Sequence, residues 1–394
     1  MEQWKEYKLG DICKTNISQY SAKENWDNAL YLDTGNITDN KINEIVTIND
    51  MTHGLPSRAR RKVKDKDILF STVRPNQRHI GILQNPQPNL LVSTGFTVIS
   101  ANQDVADPYF LYYFLSQKEI VDYLHAIAEQ AVSAYPSIKA SDIEDLDILL
   151  PNFSQQKKIS KLLKSLDDKI ELNRQINDNL EQQAQALFNH YFVENTELLG
   201  EYDEVSLLDI ASYTNGLAMQ KYRPSEDETS YLPVMKIKEL GQGFTDSNSD
   251  ICTCNIPEIY IINSGDIIFS WSGTLMVKIW CGETAGLNQH LFKVYSESYE
   301  KWFYYFWTKY HLRKFINIAK DKAVTMGHIK REDLAKSKVL LPNKATLQNL
   351  NKIFSPIMDS IINNEIESKR QVQLRDTLLP RLMSGELKIN EINC

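Results

Sequence analysis

The side chains best equipped for chemistry in this chain are cationic and amide-bearing, and they are concentrated. Between Ser57 and Arg78 stand Arg58, Arg60, Arg61, Lys62, Lys64, Lys66, Arg74 and Arg78, opposed only by Asp65 and Asp67. Such a run suits a nucleic-acid backbone, because phosphate binding is dominated by Lys and Arg. A second cationic region supplies Lys309, Arg313, Lys314, Lys320, Lys322, Lys330, Arg331, Lys336 and Lys338 against Asp321, Glu332 and Asp333. The formal net charge of −7 does not argue against this, since it averages over the whole surface.

Other chemistries lack their residues. Cys252 and Cys254 form a Cys-x-Cys with only Cys281 nearby, short of the second ligand pair that zinc needs. Five cysteines, an odd number, fit reduced thiols. No Gly-x-x-x-x-Gly-Lys-Ser/Thr loop is present to cradle the phosphates of ATP. Asp107-Pro108-Tyr109-Phe110 lacks one proline of the Asn/Asp-Pro-Pro-Tyr motif of adenine methyltransferases and reads as a helix start, Asp capping and Pro at the first helical position. The seven histidines make no metal-ligand pattern, and Glu386-Leu387-Lys388 is an isolated scrap of a nuclease motif. The chain is therefore read as non-catalytic, with neither metal nor cofactor of its own. The N-terminus shows no apolar signal region, and no stretch of about 18 uncharged apolar residues occurs, which implies a soluble, cytoplasmic protein without membrane association.

What must position the basic residues is a repeat. Leu149-Leu150-Pro151-Asn152 returns as Leu340-Leu341-Pro342-Asn343, about 191 residues later, and Ile138, Lys139 and Asp142 return as Ile329, Lys330 and Asp333. Asp67-Ile68-Leu69-Phe70-Ser71 recurs as Asp266-Ile267-Ile268-Phe269-Ser270, and Leu9, Asp11 and Ile12 as Leu207, Asp209 and Ile210. A duplication of this length gives two equivalent modules, a twofold plan suited to duplex DNA. Ile68–Phe70, Val98–Ile99, Ile267–Phe269 and Leu291–Val294 read as strands; 108–129 and 300–318 read as helices. The aromatic clusters 110–114 and 302–306 fall on those helices and read as core.

From Ser154 to Val193 there is neither Gly nor Pro, which predicts one helix of roughly 40 residues, about 60 Å long. Ile159, Leu166, Asn173, Leu180 and Leu187 repeat every seven residues, with Leu163, Ile170, Asn177 and Ala184 interleaved. This is a coiled-coil seam, and its core asparagines imply a specific partner helix. Leu350, Phe354, Ile357, Ile361 and Asn364 of the second copy supply it. Pro356 should kink that second helix, and the seam fades until Leu374, Leu378 and Leu382.

With the repeat and the seam in place, the chain resembles the specificity subunits of Type I restriction-modification systems over nearly its full length. The resembling phrases are Gly10-Asp11-Ile12, 67–75, 92–96 and 150–159 in the first half; in the second they are 265–274, 287–290, 328–334 and 377–387. The start of the second long helix departs from the family's Gln-rich pattern at Lys344 to Asn349. The resemblance implies an α/β chain with a pseudo-twofold repeat: target-recognition domains over 1–151 and 197–342, long spacer helices over 152–196 and 343–385 forming an antiparallel coiled coil, and a tail over 386–394. It implies that each domain reads half of an interrupted site on double-stranded DNA. Methyltransferase subunits using S-adenosylmethionine would dock on the helices, and motor-nuclease subunits using ATP and Mg would join them.

Base readout falls to polar and planar side chains on loops. In the first domain these are Arg74, Gln77 and Arg78, with Tyr135, Ser137 and Lys139. In the second they are Gln220, Lys221, Tyr222 and Arg223, then Trp271, Ser272 and Thr274, then Asn288, Gln289 and His290, and finally Thr325, His328 and Lys330. Arg58, Arg60, Arg61 and Lys62 would hold phosphates. The competing class is a duplicated coiled-coil scaffold that joins two proteins and never touches DNA; it accounts for the seam but not for the separate basic regions.

Overall fold

The computed structural model describes residues 4–130, 136–321 and 329–389. It resolves into two compact units, 1–167 with 373–394, and 168–372. Each long helix is therefore divided between the two, a partition that a linear reading of domains and spacers does not anticipate.

Both units repeat one topology. In the first, Lys5–Lys8 pairs antiparallel with Asp147–Leu150. An antiparallel sheet runs in the order Cys13–Thr15, Phe96–Ala101, Ile68–Ser71, Ile80–Ile82, and a second in the order Val46–Ile48, Ala29–Leu32, Leu90–Ser93, Ala59–Lys62. In the second unit Tyr202–Ser206 pairs with Lys338–Pro342. Its sheets run Ser212–Asn215, Leu291–Tyr295, Ile267–Ser270, Met276–Ile279, and Ile251–Thr253, Tyr231–Met235, Ala285–Leu287, Ile261–Ile262. Each second sheet contains one parallel pair, Ala29–Leu32 with Leu90–Ser93 and Tyr231–Met235 with Ala285–Leu287. Among the described residues every other pairing between strands is antiparallel, so the mixed α and β content arises from helices gathered on one face, not from alternating βαβ units.

The repeated Asp-Ile-(Leu/Ile)-Phe-Ser phrase is apolar throughout because both faces of its strand are covered. Ile68 and Phe70 face the helices while Leu69 faces the second sheet; Ile267 and Phe269, and Ile268 on the other side, do the same. The aromatic clusters are core as their helical setting indicates, Phe110 and Trp302 being fully buried. The first aromatic segment is not one helix. It splits into Pro108–Ser116 and Lys118–Gln130, because Gln117 is extended (ψ 141°) and the Ser116 hydroxyl turns back to the Tyr113 carbonyl at 3.0 Å.

The long helices are Phe153–Asn189, followed by a π-helical turn His190–Glu194, and Lys344–Met383. The Pro-Asn entry has the same cause in both: the Asn152 side chain accepts the Gln155 amide and the Asn343 side chain accepts the Thr346 amide, each at 3.0 Å. Inside the second unit the helices run antiparallel. Asn177 donates to the Ile361 carbonyl at 3.0 Å and accepts from Asn364 at 3.0 Å, while Asn173 donates to Glu367 at 2.9 Å. In the first unit Ile159 and Leu163 share a core with Leu379 and Leu382, and Asp167 meets Arg375 at 2.8 Å.

Four details differ from the heptad reading. Ile170 is only half-buried. Met358 takes the fully buried place beside half-buried Ile357, because the helix rotates its apolar face into a globular core instead of holding a strict seven-residue period. Leu374 is 47% exposed, the interior position nearby belonging to Leu379. Pro356 lies on the exposed side and the helix continues through it, since solvent can serve the carbonyl that loses its donor. The altered start of this helix also repacks: Gln156 is buried, accepting the Asp107 amide at 2.9 Å and donating to the Pro151 carbonyl at 2.9 Å, whereas Leu347 at the equivalent place packs apolarly.

His311 is buried with its Nε2 2.8 Å from the Lys338 carbonyl, and burial lowers its pKa from 6.5 against the pull of that hydrogen bond. Because the folded value lies below the unfolded one, the unfolded chain takes up the proton first as pH falls. This contribution to stability is full above about 6.5 and is lost on acidification through the folded value. Denaturant unfolding of the wild-type chain should show a lower midpoint at pH 5.5 than at pH 7.5, and His311→Gln should narrow the difference; an unchanged difference would show that His311 is not responsible.

Candidate nucleic-acid interface

In the first unit, backbone hydrogen bonds draw four loop segments together. The Thr94 amide donates to the Arg58 carbonyl (2.8 Å), Thr72 to Gly95 (2.8 Å), Ile138 to Thr72 (2.9 Å) and Arg74 to Pro136 (3.1 Å). Arg58, Arg74 and Lys139 are exposed there, with half-buried Ser137, which bridges to Val73, and exposed Gln77. Arg58 also helps hold the Asp33 carboxyl below its ordinary range: burial alone would raise it, and hydrogen bonds from Thr34, Ser93 and Tyr31 act together with the guanidinium to lower it.

The second unit builds the same cluster. The Ile329 amide donates to the Trp271 carbonyl at 3.1 Å, as Ile138 does to Thr72. The Ser270 hydroxyl donates to the Ser272 carbonyl at 3.1 Å, as Ser71 does to Val73 at 3.0 Å. Trp271 is half-buried, stacks on Phe292 with centroids 5.6 Å apart, and donates its ring N–H to Asn215 at 2.9 Å. His290 lies 3.2 Å from the Ser272 hydroxyl, and Thr274 and Lys330 are exposed beside this cluster.

A family profile described as the Type I restriction modification DNA specificity domain matches residues 1–182 and again 200–375. The chain belongs to that family. It is 27% identical to the HindI specificity subunit of Haemophilus influenzae, over 98% of this chain and all of that one. It is 26% identical to the MjaIX specificity subunit of Methanocaldococcus jannaschii, over 84% and 80% of the two chains. The fold is shared with the crystal structure of a Type I S subunit from M. genitalium, with a TM-score of 0.58, 15% identity and 96% of each chain covered.

Several residues read from the sequence as DNA contacts are engaged within this specificity subunit. Arg78 donates to Asp39 at 2.6 Å and to the Ser116 carbonyl at 3.0 Å, which ties its loop to the helix. Lys62 pairs with Glu24 at 2.7 Å and lies over Trp26. Arg61 is half-buried, reaching the Thr94 carbonyl at 3.4 Å. Arg60 donates to the Ser57 carbonyl at 3.2 Å through Nε. In the second unit Ser272 and Asn288 are buried, and Asn288 serves the turn, its amide donating to the Met235 carbonyl at 3.1 Å. Gln289 keeps to His290 at 3.4 Å. Gln220, Lys221 and Arg223 are exposed on an early loop, while half-buried Tyr222 packs on the Met219 cluster. Tyr135, Thr325 and His328 lie outside the described residues. Cys252 is buried, its thiol pushed up to about 11 by burial, and Cys254 is exposed. Among the described residues no cluster of three metal-ligating side chains occurs. Nor is any described helix long and apolar enough to cross a membrane.

The sequence reading missed the Ser93-Thr94-Gly95 loop as part of the first cluster. The signal was present in the repeat, because Asn288-Gln289-His290 precedes Leu291 as Ser93-Thr94-Gly95 precedes Phe96, and both following residues open paired strands opposite Ser270 and Ser71.

Arg60→Ala should weaken binding to all DNA sequences alike and make the dependence of log K on log salt shallower by about one unit. Arg78→Ala should instead destabilise the chain by about 1–3 kcal/mol through the lost Asp39 and Ser116 contacts. A salt series with parallel denaturant unfolding separates the two; loss of stability in the first variant, or none in the second, would reverse the assignment.

Proposed function

We propose that this specificity subunit reads two half-sites of double-stranded DNA, one with the loop cluster of each unit, separated by a gap that it does not read. The observation that carries the reading is the duplication of the cluster itself. The same serine turn, incoming amide and exposed lysine (Lys139, Lys330) recur in both units, while the other loop side chains differ, as two different half-sites require. Arg58, Arg60 and the exposed lysines hold phosphates, and the remaining exposed loop side chains meet base edges.

The long helices act as an antiparallel coiled-coil spacer, supported by the Asn173, Asn177 and Asn364 contacts that fix their register. Methyltransferase subunits carrying S-adenosylmethionine dock on these helices and methylate adenine. Motor-nuclease subunits carrying ATP and Mg complete the restriction complex. The specificity subunits to which the chain is similar bear the names of Type I restriction enzymes, which supports this assignment.

Exchanging residues 1–151 for those of another family member should change one half of the methylated sequence and leave the other intact, read by mapping methylated adenines in cells that carry the hybrid. A simultaneous change in both halves would defeat the two-reader proposal.

A further inference from the structure

The loop that follows the buried strand of each unit carries a residue in the left-handed region three positions after its serine, and the two copies fill that position differently; in the first unit Arg78, at φ 55°, closes the same loop with a second. In the second unit it is Gly273, at φ +62°, three residues after Ser270. In the first it is Arg74, at φ 47° and ψ 68°, three residues after Ser71. The surrounding geometry is the same, with the serine hydroxyl donating to the carbonyl two residues on and an isoleucine amide closing on the residue after the serine. Glycine adopts this backbone freely; an L side chain is strained there. Glycine meets the turn in the other module, so the turn itself does not require the Arg74 side chain.

Among the described residues its side chain has no partner. Arg74 is exposed, and its guanidinium makes no hydrogen bond or ion pair with a described residue. The backbone, by contrast, is fixed on both sides: its amide donates to Pro136 at 3.1 Å, its carbonyl accepts from Gln77 at 2.9 Å, and Arg78 anchors the far end of the Pro75–Gln77 turn on Asp39. The result is a planar double donor carried on a rigid loop within the cluster.

Resting on the two-half-site reading above, we propose that Arg74 is a specificity-determining residue of the first module, donating both guanidinium N–H groups to the major-groove edge of a guanine, and that the equivalent position of the second module, Gly273, contributes no side-chain readout. Arginine with guanine O6 and N7 is the pairing that this donor geometry matches.

The test selects binding sites from a randomised duplex library with the full-length chain together with its methyltransferase subunit, comparing the parent with Arg74→Gly and Arg74→Lys. The parent should select two half-sites, one containing an invariant guanine. Arg74→Gly should keep its thermal midpoint, lose discrimination at that guanine by about tenfold or more, and leave every other position and the second half-site unchanged. Arg74→Lys should weaken the guanine preference less than Arg74→Gly does, while retaining the parental salt dependence. Retention of the guanine by Arg74→Gly would overturn the proposal. So would a shallower salt dependence with unchanged base preferences, which marks a phosphate contact, or a lowered midpoint with uniform weakening, which marks a structural role. Failure of the parent itself to select any paired half-sites would overturn the function proposed above, a result distinct from these.

Discussion

Each unit has an aromatic helix that its own sheet cannot cover, and sealing that helix is the constraint on which the rest of the architecture depends. In the first unit Phe110, Leu111 and Phe114 are closed over by Ile159 and Leu163 from one long helix and by Leu379, Leu382 and Met383 from the other. In the second, Trp302, Phe303 and Phe306 are closed over by Ala184 and Phe188 from one, and by Leu350, Phe354 and Met358 from the other. Neither core is completed by sequence from its own half alone. The long helices cannot then be independent linkers, because removing either one opens both cores.

The two units meet this demand with different chemistry at equivalent places. In the first, Asp167 accepts from Tyr113 at 2.6 Å and from Arg375 at 2.8 Å, which places an ion pair against the aromatic helix. Burial and the neighbouring carboxylate push the Tyr113 hydroxyl well above its usual range, so it stays a donor. The residues 191 positions away in the repeat, Met358 and Ala184, are apolar and buried. A partly buried ion pair and a well-packed apolar pair can be close in net stability, whereas losing one member of the ion pair strands a charge. The first unit thus gains directional hydrogen bonds that define how its second helix segment lies, and the second unit relies on the asparagine layer for the same definition.

The paired loop clusters follow a similar logic. What the copies share is backbone and short-range: a serine hydroxyl on a carbonyl two residues on, and an amide from the returning segment. Exposed Lys139 and Lys330 are common to both; what the copies do not share is the rest, exposed Arg58 and Arg74 in one and half-buried Trp271 and His290 with exposed Thr274 in the other. Because the turn is held by the buried serine hydroxyl and by backbone amides and carbonyls, side chains at its tip can diverge without disturbing it. A duplicated module can in this way come to face two different sequences.

The sequence by itself determined the elements whose cause is local or periodic. The duplication, the buried Asp-Ile-(Leu/Ile)-Phe-Ser strands, the Pro-Asn helix entries and the asparagines of the seam follow from residue order, since caps, alternation and heptads act within a few residues. Only the tertiary structure decided which cations are free. Lys62 and Arg78 are indistinguishable in sequence from Arg58 and Arg74; they are engaged because Glu24, Asp39 and Ser116, each 38 or 39 residues away, fold against them. The break at Gln117, the displacement of the buried position to Met358 and the part played by Ser93-Thr94-Gly95 have the same origin. Each depends on what packs against the segment from elsewhere in the chain, and an ion pair or a buried face is defined by two partners, of which local sequence shows one.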